Sequence, residues 1–259
     1  MSFDADVTAC AAIVEKADPD RFAAVMASPV AARAVLFVLY AFNVEVSRAP
    51  WLTQETMIAE MRLQWWRDVL EEIGQGAQVR RHEVVTPLSG FLSEPATQVL
   101  DRLVAARRWD IYKDAFEDAA HFDNYLNETA AGLMWVAACA LDPDLTPQGD
   151  AETMVRACGR ATGLARFLQA VPALESHSRI PLVDGRAEAI ADLARAALDA
   201  LPAPKLLKRT LGDAAKPAIT EAFVTRSLLK QVVQDPRRVA VGDLQVHPMR
   251  RAALLWRWS

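Results

Sequence analysis

Apolar residues along this chain recur with the spacing of an α-helix, and no segment of useful length alternates between apolar and polar residues. In "TMIAEMRLQWWRDVLEEI", Met57, Met61, Trp65, Val69 and Ile73 lie four residues apart. Such spacing groups apolar side chains on one side of a helix, whereas a half-buried strand needs a period of two. Only 10 of the 259 residues are glycine. The sequence therefore predicts an all-α fold without a sheet, organised as one domain over residues 1–259. Leu63, Trp66 and Leu70 flank the row of five, so the predicted apolar stripe of this helix is broad and faces the core.

The predicted helices are delimited by capping residues, prolines and glycines. Ser28 is predicted as an N-cap with Pro29 at the first helical position, and this helix runs to Pro50. Residues 201–217, "LPAPKLLKRTLGDAAKP", are the only linker-like stretch. The other helices are predicted at 53–74, from Ser93 onward, at 122–141, 147–171, 186–201 and 213–234, and from Pro248 to the end of the chain.

Composition and charge exclude several classes of function. The formal net charge is −4, which disfavours a general nucleic-acid-binding protein because such proteins carry a basic face. The three cysteines have no close pair, and no two of the four histidines lie one helical turn apart. Buried thiols in a reducing compartment are therefore expected rather than a zinc site. The acidic N-terminal sequence "MSFDADVTAC" differs from a secretory or mitochondrial leader. Apolar runs such as 35–42 are shorter than the roughly 20 residues that a membrane span needs. We therefore expect a cytoplasmic protein.

Three carboxylates spaced four residues apart are the first candidates for chemistry: Asp110, Asp114 and Asp118 in "RRWDIYKDAFEDAA". On a helix they would share one face, as a magnesium–diphosphate site requires. The interleaved Arg107 and Lys113 instead favour a solvated face with exposed ion pairs. The sequence offers no good second acidic cluster to face this one.

A second candidate lies in the apolar segment "FVLYAFNVEVSRAP". Tyr40, Asn43 and Glu45 are polar residues within this otherwise apolar helix. Two interpretations are open. The segment is either a core helix that turns its polar side to water, or a helix whose Asn43 and Glu45 line a cavity.

Four segments, taken in order, resemble the squalene/phytoene synthase family. They are "ARAVLFVLYAFNVEVSRA", "RLQWWRDVLEEIGQG", "DNYLNETAAGLMW", and "GRATGLARFLQAV" followed by "SRIPL". The resemblance covers the chain from about Arg21 to its C-terminus. It implies a helical bundle of the isoprenoid synthase type around a central cavity.

The chain departs from this family where the resemblance implies metal ligands. Active members hold magnesium ions on two aspartate-rich segments, and the metal helps a diphosphate to leave. The segment similar to the first has Glu45 as its only acid and adds Arg48, and the segment similar to the second offers only Glu175. Pro172 is predicted to end or kink the second helix early. The resemblance therefore implies no metal site, no cofactor and no catalytic residue; in an active protein, Glu45 and Glu175 would be the catalytic acids and Mg²⁺ the cofactor.

The residues expected to contact a ligand lie on the segments that resemble the family. Arg48, Arg166 and Arg179 are predicted to bind a diphosphate or an anionic lipid directly, through charge-assisted hydrogen bonds. The alternative is that these arginines form surface ion pairs. The full set of predicted ligand-binding residues is Tyr40, Asn43, Glu45, Arg48, Trp66, Tyr125, Gly132, Gly163, Arg166 and Arg179.

The C-terminal segment "HPMRRAALLWRWS" mixes arginines with tryptophan, methionine and leucine. This composition suits a peripheral contact with a membrane interface, such as that of an inner membrane, or with a partner protein. The alternative is a last helix that packs onto the bundle.

In lacking these acids and in its segment "AFNVE", the chain resembles a narrower, non-catalytic branch of the family, related to the mitochondrial complex I assembly factor. This resemblance implies a pseudoenzyme that binds an isoprenoid, another lipid or a membrane-enzyme subunit and assists assembly of respiratory complex I. Two alternatives stay open. One is an active magnesium-dependent prenyltransferase that makes phytoene or squalene from two prenyl diphosphates. The other is a helical interaction module whose cavity is filled by side chains.

Overall fold

The structure, a computed structural model, describes residues 4–258 and contains helices but no strand within that range. The all-α prediction is thus confirmed for the described residues; residues 1–3 and Ser259, at the ends of the predicted domain and C-terminal helix, lie outside them. The α-helices are α1 (Ala5–Ala17), α2 (Pro19–Met26), α3 (Val30–Arg48), α4 (Thr56–Gly74), α5 (Val85–Leu88), α6 (Glu94–Ala106), α7 (Ala119–Leu126), α8 (Gly132–Leu141), α9 (Asp150–Ser176), α10 (Ala187–Ala200), α11 (Pro204–Ala215), α12 (Thr225–Gln234), α13 (Arg237–Ala240) and α14 (Pro248–Trp258), with 3₁₀ segments at Ala49–Trp51, Arg107–Asp110 and Lys216–Val224 and a π segment at Asn127–Ala131.

Helix α3 is the central element of the bundle. Every residue from Leu36 to Val44 is buried, and α1, α2 and α8 pack around the helix. The stretch Val30–Trp51 is long and apolar enough to cross a membrane by length and composition, unlike the shorter run considered in the sequence. However, 67% of its apolar window is buried inside the bundle. Packing on all sides accounts for the composition of α3, since a helix that is apolar all round is stable only when enclosed.

Helix α4 buries most of the broad stripe predicted for it, but not the two methionines at its start. Met57 and Met61 are 74% and 65% exposed, so they do not face the core. The reason is geometric: residues four apart rotate about 40° around a helix at each step, and five such residues cannot share one face. The buried residues are spaced by three and four and include the three that were predicted to flank the row: Ala59, Leu63, Trp66, Val69, Leu70 and Ile73.

The predicted row of acids does not lie on a helix. Asp110 ends a 3₁₀ segment, and residues 111–118 form turns and irregular structure. Asp118 instead caps α7, because its Oδ1 accepts a hydrogen bond from the backbone nitrogen of His121 at 2.8 Å. Asp114 and Asp118 are exposed, but Asp110 is buried. The three carboxylates therefore neither share a face nor form a uniformly solvated one.

The linker-like stretch 201–217 belongs to the bundle. Most of it forms α11, in which Leu207 and Leu211 are buried. Gly212 has a φ of 65°, a left-handed conformation that breaks the regular helix and favours glycine. The helix predicted for 213–234 is accordingly divided into the 3₁₀ segment Lys216–Val224 and α12.

Pro172 lies inside α9, which continues to Ser176 instead of ending at Val171 as predicted. Proline cannot donate a backbone hydrogen bond to the preceding turn. Val171 and Leu174 on either side of it are nevertheless buried, and this packing holds the last turn in place.

The N-terminal residues form two helices, α1 and α2, that the sequence pattern did not reveal. Asp18 lies between them and caps α2, since its Oδ1 accepts a hydrogen bond from the backbone nitrogen of Arg21 at 3.0 Å. The predicted cap at Ser28 is wrong, because its hydroxyl donates to the carbonyl of Ala24 at 2.8 Å. Pro29 occupies the N-cap position of α3 without a side-chain hydrogen bond.

Helix α9 crosses the π segment Asn127–Ala131 at very short range. A Cβ atom added at Gly159 would lie 2.6 Å from the Cα of Ala131 and 3.2 Å from the carbonyl oxygen of Ala130. Only a glycine permits this backbone approach. The contact positions α9, which carries one wall of the cavity described below.

Gly159→Ala is expected to destabilise the protein by about 1–3 kcal/mol, because the added methyl group forces the two backbones apart. This loss should appear although alanine is favoured over glycine within a helix by about 1 kcal/mol. Urea unfolding followed by circular dichroism would measure the change in midpoint.

The matched control is Gly185→Ala, since nothing lies within 4 Å of a Cβ added at Gly185. Its effect on the free energy of unfolding should stay within about 0.5 kcal/mol. Equal stability of Gly159→Ala and the wild type would contradict the close approach of α9.

Candidate functional site

A cavity of about 570 Å³ opens between α3, α7, α9 and the 3₁₀ segment Arg107–Asp110. Part of its wall is apolar and includes Leu126, Phe167 and Leu174. His177 also lines it and is exposed, so the cavity opens to solvent on that side. The presence of this space agrees with the predicted central cavity and disfavours a bundle filled by side chains. The main polar side chains of the lining are Arg21, Asn43, Arg107, Asp110, Tyr125 and Arg166.

Two arginines of the lining share two carboxylates that lie behind the cavity wall. Arg21 donates from Nε to Oε2 of Glu221 at 2.6 Å, and Arg166 lies 3.5 Å from the same oxygen. Both arginines also contact Oδ2 of Asp18, Arg166 at 2.5 Å and Arg21 at 3.3 Å. The hydroxyl of Tyr40 lies 3.4 Å from the other oxygen of Glu221, to which it donates. Two positive and two negative charges therefore neutralise one another at this end of the cavity.

This arrangement shifts the pKa values of its members. Burial alone would raise the pKa of Asp18, but Arg166 and Arg21 outweigh burial and hold this pKa below its usual value. Burial likewise would lower the pKa of Arg21, but Glu221 and Asp18 raise it further. The ionised forms are thus the stable forms within the network, as expected for paired charges at short distance.

A second buried group joins Arg107, Asp110 and Tyr125. Arg107 donates from Nη1 to Oδ2 of Asp110 at 3.1 Å and to the Tyr125 hydroxyl at 2.7 Å. That hydroxyl in turn lies 3.2 Å from both oxygens of Asp110. Burial raises the pKa of Tyr125 above its usual value, although Arg107 opposes the shift. The phenol therefore stays protonated and donates to Asp110.

Arg179 supports the cavity from outside its lining. Its guanidinium donates to the backbone carbonyls of Trp109, Asp110 and Tyr112. It also lies 4.6 Å from the ring centroid of Trp51, which lines the cavity. Arg179 therefore holds the segment that carries Asp110, and its Nη1 and Nη2 atoms donate to the protein backbone.

Four of the ten predicted ligand-binding residues line the cavity: Asn43, Tyr125, Gly163 and Arg166. Gly163 contributes by having no side chain, since a Cβ there would lie 2.5 Å from the Cβ of Ala130. The other three present polar groups. The lining therefore brings together residues from three of the segments that carried the family resemblance.

Tyr40, Trp66 and Gly132 were also predicted to contact a ligand, but they lie outside the lining. Tyr40 is 1% exposed and supports the charge network from behind. Trp66 packs edge-on against Phe42 with ring centroids 5.3 Å apart. A Cβ at Gly132 would lie 3.1 Å from Cγ1 of Val99, so this glycine serves the contact with α6. These three positions are explained by core packing.

The remaining predicted residues, Glu45, Arg48 and Arg179, do not line the cavity either. Arg48 has a side chain that is 53% exposed and lies 3.5 Å from Glu45 in an ion pair. This pair is the surface alternative considered for the arginines. Glu175, the second acid predicted for an active protein, is exposed near the end of α9 and also lies outside the lining.

The donor set of the cavity can be compared with the needs of magnesium. Among the described lining residues, Asp110 alone carries a carboxylate, and Arg107 and Tyr125 already bind it. Between residues 4 and 258, no group of three or more His, Cys, Asp and Glu side chains is placed to hold a metal ion. Magnesium is bound through oxygen ligands in octahedral geometry, usually with carboxylates and substrate phosphates. The donors present do not match that requirement.

Several residues of the site were not predicted, above all Arg21, Asp18 and Glu221. Arg21 and Glu221 are 200 residues apart in the chain, so no local pattern links them. One signal was present: Glu221 is a single charge within the apolar run "AITEAFV", and a charge so placed is typical of a buried ion pair. Arg107 was recognised as a partner of Asp110, but as an exposed one.

Asp18→Asn is expected to lower the free energy of unfolding by about 1.5–3 kcal/mol at pH 7, because two arginines lose a charged partner. Asparagine is as good a helix cap as aspartate, so the substitution tests the charge rather than the cap. Since the folded-state pKa of Asp18 is lowered, its contribution is present at neutral pH and is lost as the pH falls. The difference from wild type should shrink below about pH 4.

Urea unfolding at pH 7, 5 and 3 would measure this effect. Asp192→Asn is the matched control, because Asp192 and Arg195 form an exposed pair with side chains 71% and 53% accessible. That control should change stability by less than about 0.5 kcal/mol. A stability difference for Asp18→Asn that is constant from pH 7 to pH 3 would contradict the assigned ion pairs.

Comparisons with known sequences place this architecture in a family. The family model for squalene/phytoene synthase matches residues 14–184. A Drosophila melanogaster homolog of complex I assembly factor 6 is 31% identical over 170 residues, which cover 63% of this chain and 50% of that protein. The Homo sapiens assembly factor 6 is 24% identical over 165 residues, covering 63% of this chain and 48% of the relative. The chain thus spans about half the length of the curated relatives it matches.

Solved structures show the same fold. A dehydrosqualene synthase in complex with ligand superposes with a TM-score of 0.76 at 16% identity, covering 98% of this chain and 95% of that one. The squalene synthase HpnC from Alicyclobacillus acidocaldarius gives a TM-score of 0.58 at 17% identity, covering 96% and 91%. The bundle is therefore of the isoprenoid synthase type, and the chain belongs to the squalene/phytoene synthase family.

Proposed function

We propose that this protein is a non-catalytic member of its family, which binds an isoprenoid or lipid-like molecule and assists the assembly of respiratory complex I. The observation that carries the proposal is the state of Asp110. It is the one carboxylate among the described lining residues, and it is occupied by Arg107 and Tyr125. A cavity without free carboxylates has no means of concentrating magnesium beside a diphosphate.

The arginines of the cavity do not replace the metal. Ionisation of a prenyl diphosphate requires strong stabilisation of a polyanionic leaving group. Arg21, Arg107 and Arg166 each already pair with a carboxylate of the protein. Their charges are therefore largely compensated before any ligand enters, which supports binding without turnover.

The role in assembly rests on the relatives. The Drosophila and human proteins carry the name of complex I assembly factor 6, and each match covers 63% of this chain. On this proposal the partner is a membrane-enzyme subunit. A ligand bound in the cavity would contribute to assembly without a metal cofactor.

An active prenyltransferase that makes phytoene or squalene is the second candidate. The family match and the likeness of the fold to dehydrosqualene synthase favour it. It would have to recruit Glu45, Glu175 or Asp110 to bind magnesium. Glu45 pairs with Arg48 and Glu175 is exposed outside the lining, so these acids would have to move to act together.

The purified protein is expected to form no squalene, phytoene or pyrophosphate from farnesyl or geranylgeranyl diphosphate with magnesium. Product analysis beside an active synthase in the same buffer measures this. In cells that contain both this protein and complex I, its removal should lower the amount of assembled complex I on native gels. Glu45→Gln should restore assembly as well as the wild type does, because Glu45 has no catalytic role on this proposal.

Ala170→Trp should fail to restore assembly, because Ala170 lines the cavity and a tryptophan there would fill it. Ala120→Trp is the matched control on an exposed position outside this lining. Turnover that Glu45→Gln abolishes would end the non-catalytic proposal. Normal complex I in cells lacking the protein would end the assembly role.

A further inference from the structure

The charge balance of the cavity defines the kind of head group it accepts. We infer that the cavity selects an uncharged amphiphile with a hydroxyl head group, such as a prenyl alcohol, over a prenyl diphosphate. The inference rests on the proposed function, because it names the class of ligand for the same site. It differs from the expectation that Arg48, Arg166 and Arg179 receive a diphosphate.

The first ground is that the charge of each arginine near the cavity is already paired with a carboxylate, although Nε of Arg107 and Nη2 of Arg166 have no hydrogen-bond partner among the described residues. Arg166 contacts Asp18 and Glu221, and Arg21 contacts the same two acids. Arg107 is held by Asp110 in the same way. Three arginines thus face three carboxylates, and the sum of these charges is zero.

A diphosphate would enter this neutral setting with several negative charges. It would lose its hydration and would also have to pull arginines away from buried carboxylates. Glu221 is 1% exposed, so a carboxylate left without its arginine could not regain water. Separating such a buried pair is strongly unfavourable, and the cavity therefore disfavours polyanions.

The second ground is the amide of Asn43. This residue is 5% exposed and lines the cavity, and its Oδ1 has no hydrogen-bond partner among the described residues. A buried amide without a partner is unfavourable. An amide also offers both a donor and an acceptor. A ligand hydroxyl can satisfy either end, whereas a diphosphate can only accept.

The third ground is the apolar remainder of the lining. Leu126, Ala130, Phe167 and Leu174 provide a wall for a hydrocarbon chain. Trp51 stands near the opening and is 39% exposed. A polar amide beside an apolar wall is the usual arrangement of a site for a neutral amphiphile.

Equilibrium dialysis of the full chain with radiolabelled farnesol and farnesyl diphosphate tests the inference. Measurements would be made with magnesium and with EDTA. Farnesol should bind at least about tenfold more tightly than farnesyl diphosphate, a difference of about 1.4 kcal/mol. Magnesium should change neither affinity by more than about twofold.

Asn43→Leu should weaken farnesol binding by about tenfold, because it removes both hydrogen-bonding groups at similar volume. Asn43→Gln keeps the amide and should retain more of the affinity, which shows whether the loss comes from the amide or from altered packing. Thermal unfolding of both variants would establish that they are folded.

Tighter binding of farnesyl diphosphate in EDTA would overturn the inference and leave the non-catalytic proposal standing. Tighter binding only with magnesium, together with turnover, would overturn both. Binding of neither ligand would overturn the inference but would not support a catalytic role.

A separate observation concerns the outer face of α14. Its inward residues Leu254, Leu255 and Trp258 pack against the core. The opposite side carries Met249, 76% exposed, and Trp256, 81% exposed. These two residues are seven apart, so they lie on one side of the helix.

The exposed apolar residues of α14 form a continuous outer stripe, which has arginines along one edge. Ala252 and Ala253 are exposed between Met249 and Trp256. Arg250 and Arg257, also exposed, are themselves seven apart and follow the stripe along one edge. Helix α14 therefore has two apolar sides, one packed against the core and one largely exposed to solvent.

The geometry points to an anionic phospholipid surface as the occupant of the outer side. An interfacial helix combines exposed apolar and aromatic residues with flanking arginines. The nearby α11 adds positive charge, since Lys208 contacts the backbone carbonyl of Arg257 at 3.3 Å. Although the whole chain is acidic, only charges within about 10 Å of the membrane act strongly on it at ordinary salt.

Co-sedimentation of the full chain with vesicles tests this surface. Binding is expected to vesicles of phosphatidylglycerol and phosphatidylcholine, and about tenfold less to phosphatidylcholine alone. Arg250→Gln with Arg257→Gln, and separately Met249→Ser with Trp256→Ser, should each lower binding to the anionic vesicles by about tenfold.

The matched control is Met57→Ser with Met61→Ser, which removes two exposed methionines from α4 and should leave vesicle binding unchanged. Equal binding to neutral and anionic vesicles would overturn the proposal. So would a wild-type dimer that the Met249 and Trp256 substitutions convert to a monomer, because a second copy would then cover the stripe.

Discussion

The buried network of Arg21, Arg166, Asp18 and Glu221 is the interaction on which the cavity depends. It joins α2, α9 and the 3₁₀ segment Lys216–Val224, which are far apart in the chain. Charges at this depth are stable only when each has a partner. The network therefore fixes the relative positions of three elements as well as the charge of the space between them.

The same network decides what the cavity can do. An arginine that is free can bind a phosphate, but an arginine held by buried carboxylates is part of the scaffold. Arg107 is likewise part of the scaffold, because it donates hydrogen bonds to Asp110 and Tyr125. Arg179 is also held by the protein, but its partners are backbone carbonyls. A cavity with many arginines is thus nearly neutral, and counting basic residues in the sequence overstates its affinity for anions.

The sequence predicted the helical class and the family well, because both rest on patterns within single segments. The stripe of α4 shows the limit of such patterns: Leu63, Trp66 and Leu70 are buried as predicted, whereas Met57 and Met61, at the start of the helix, are exposed. The site was predicted less completely. Asn43 was found as a polar residue in an apolar helix, and Tyr125, Gly163 and Arg166 through the resemblance. Arg21 and Glu221 were missed because their pairing depends on tertiary structure alone.

The walls of the cavity do not depend on catalytic acids. Gly159 and Gly163 bring α9 against the π segment through backbone and methyl contacts, and α3 is buried by apolar packing along its length. These contacts are satisfied whether or not a carboxylate points into the space. A bundle of this type can therefore keep its cavity while its polar residues change. In this chain the carboxylates nearest the cavity serve as partners for arginines, so their charge helps to hold the folded elements together.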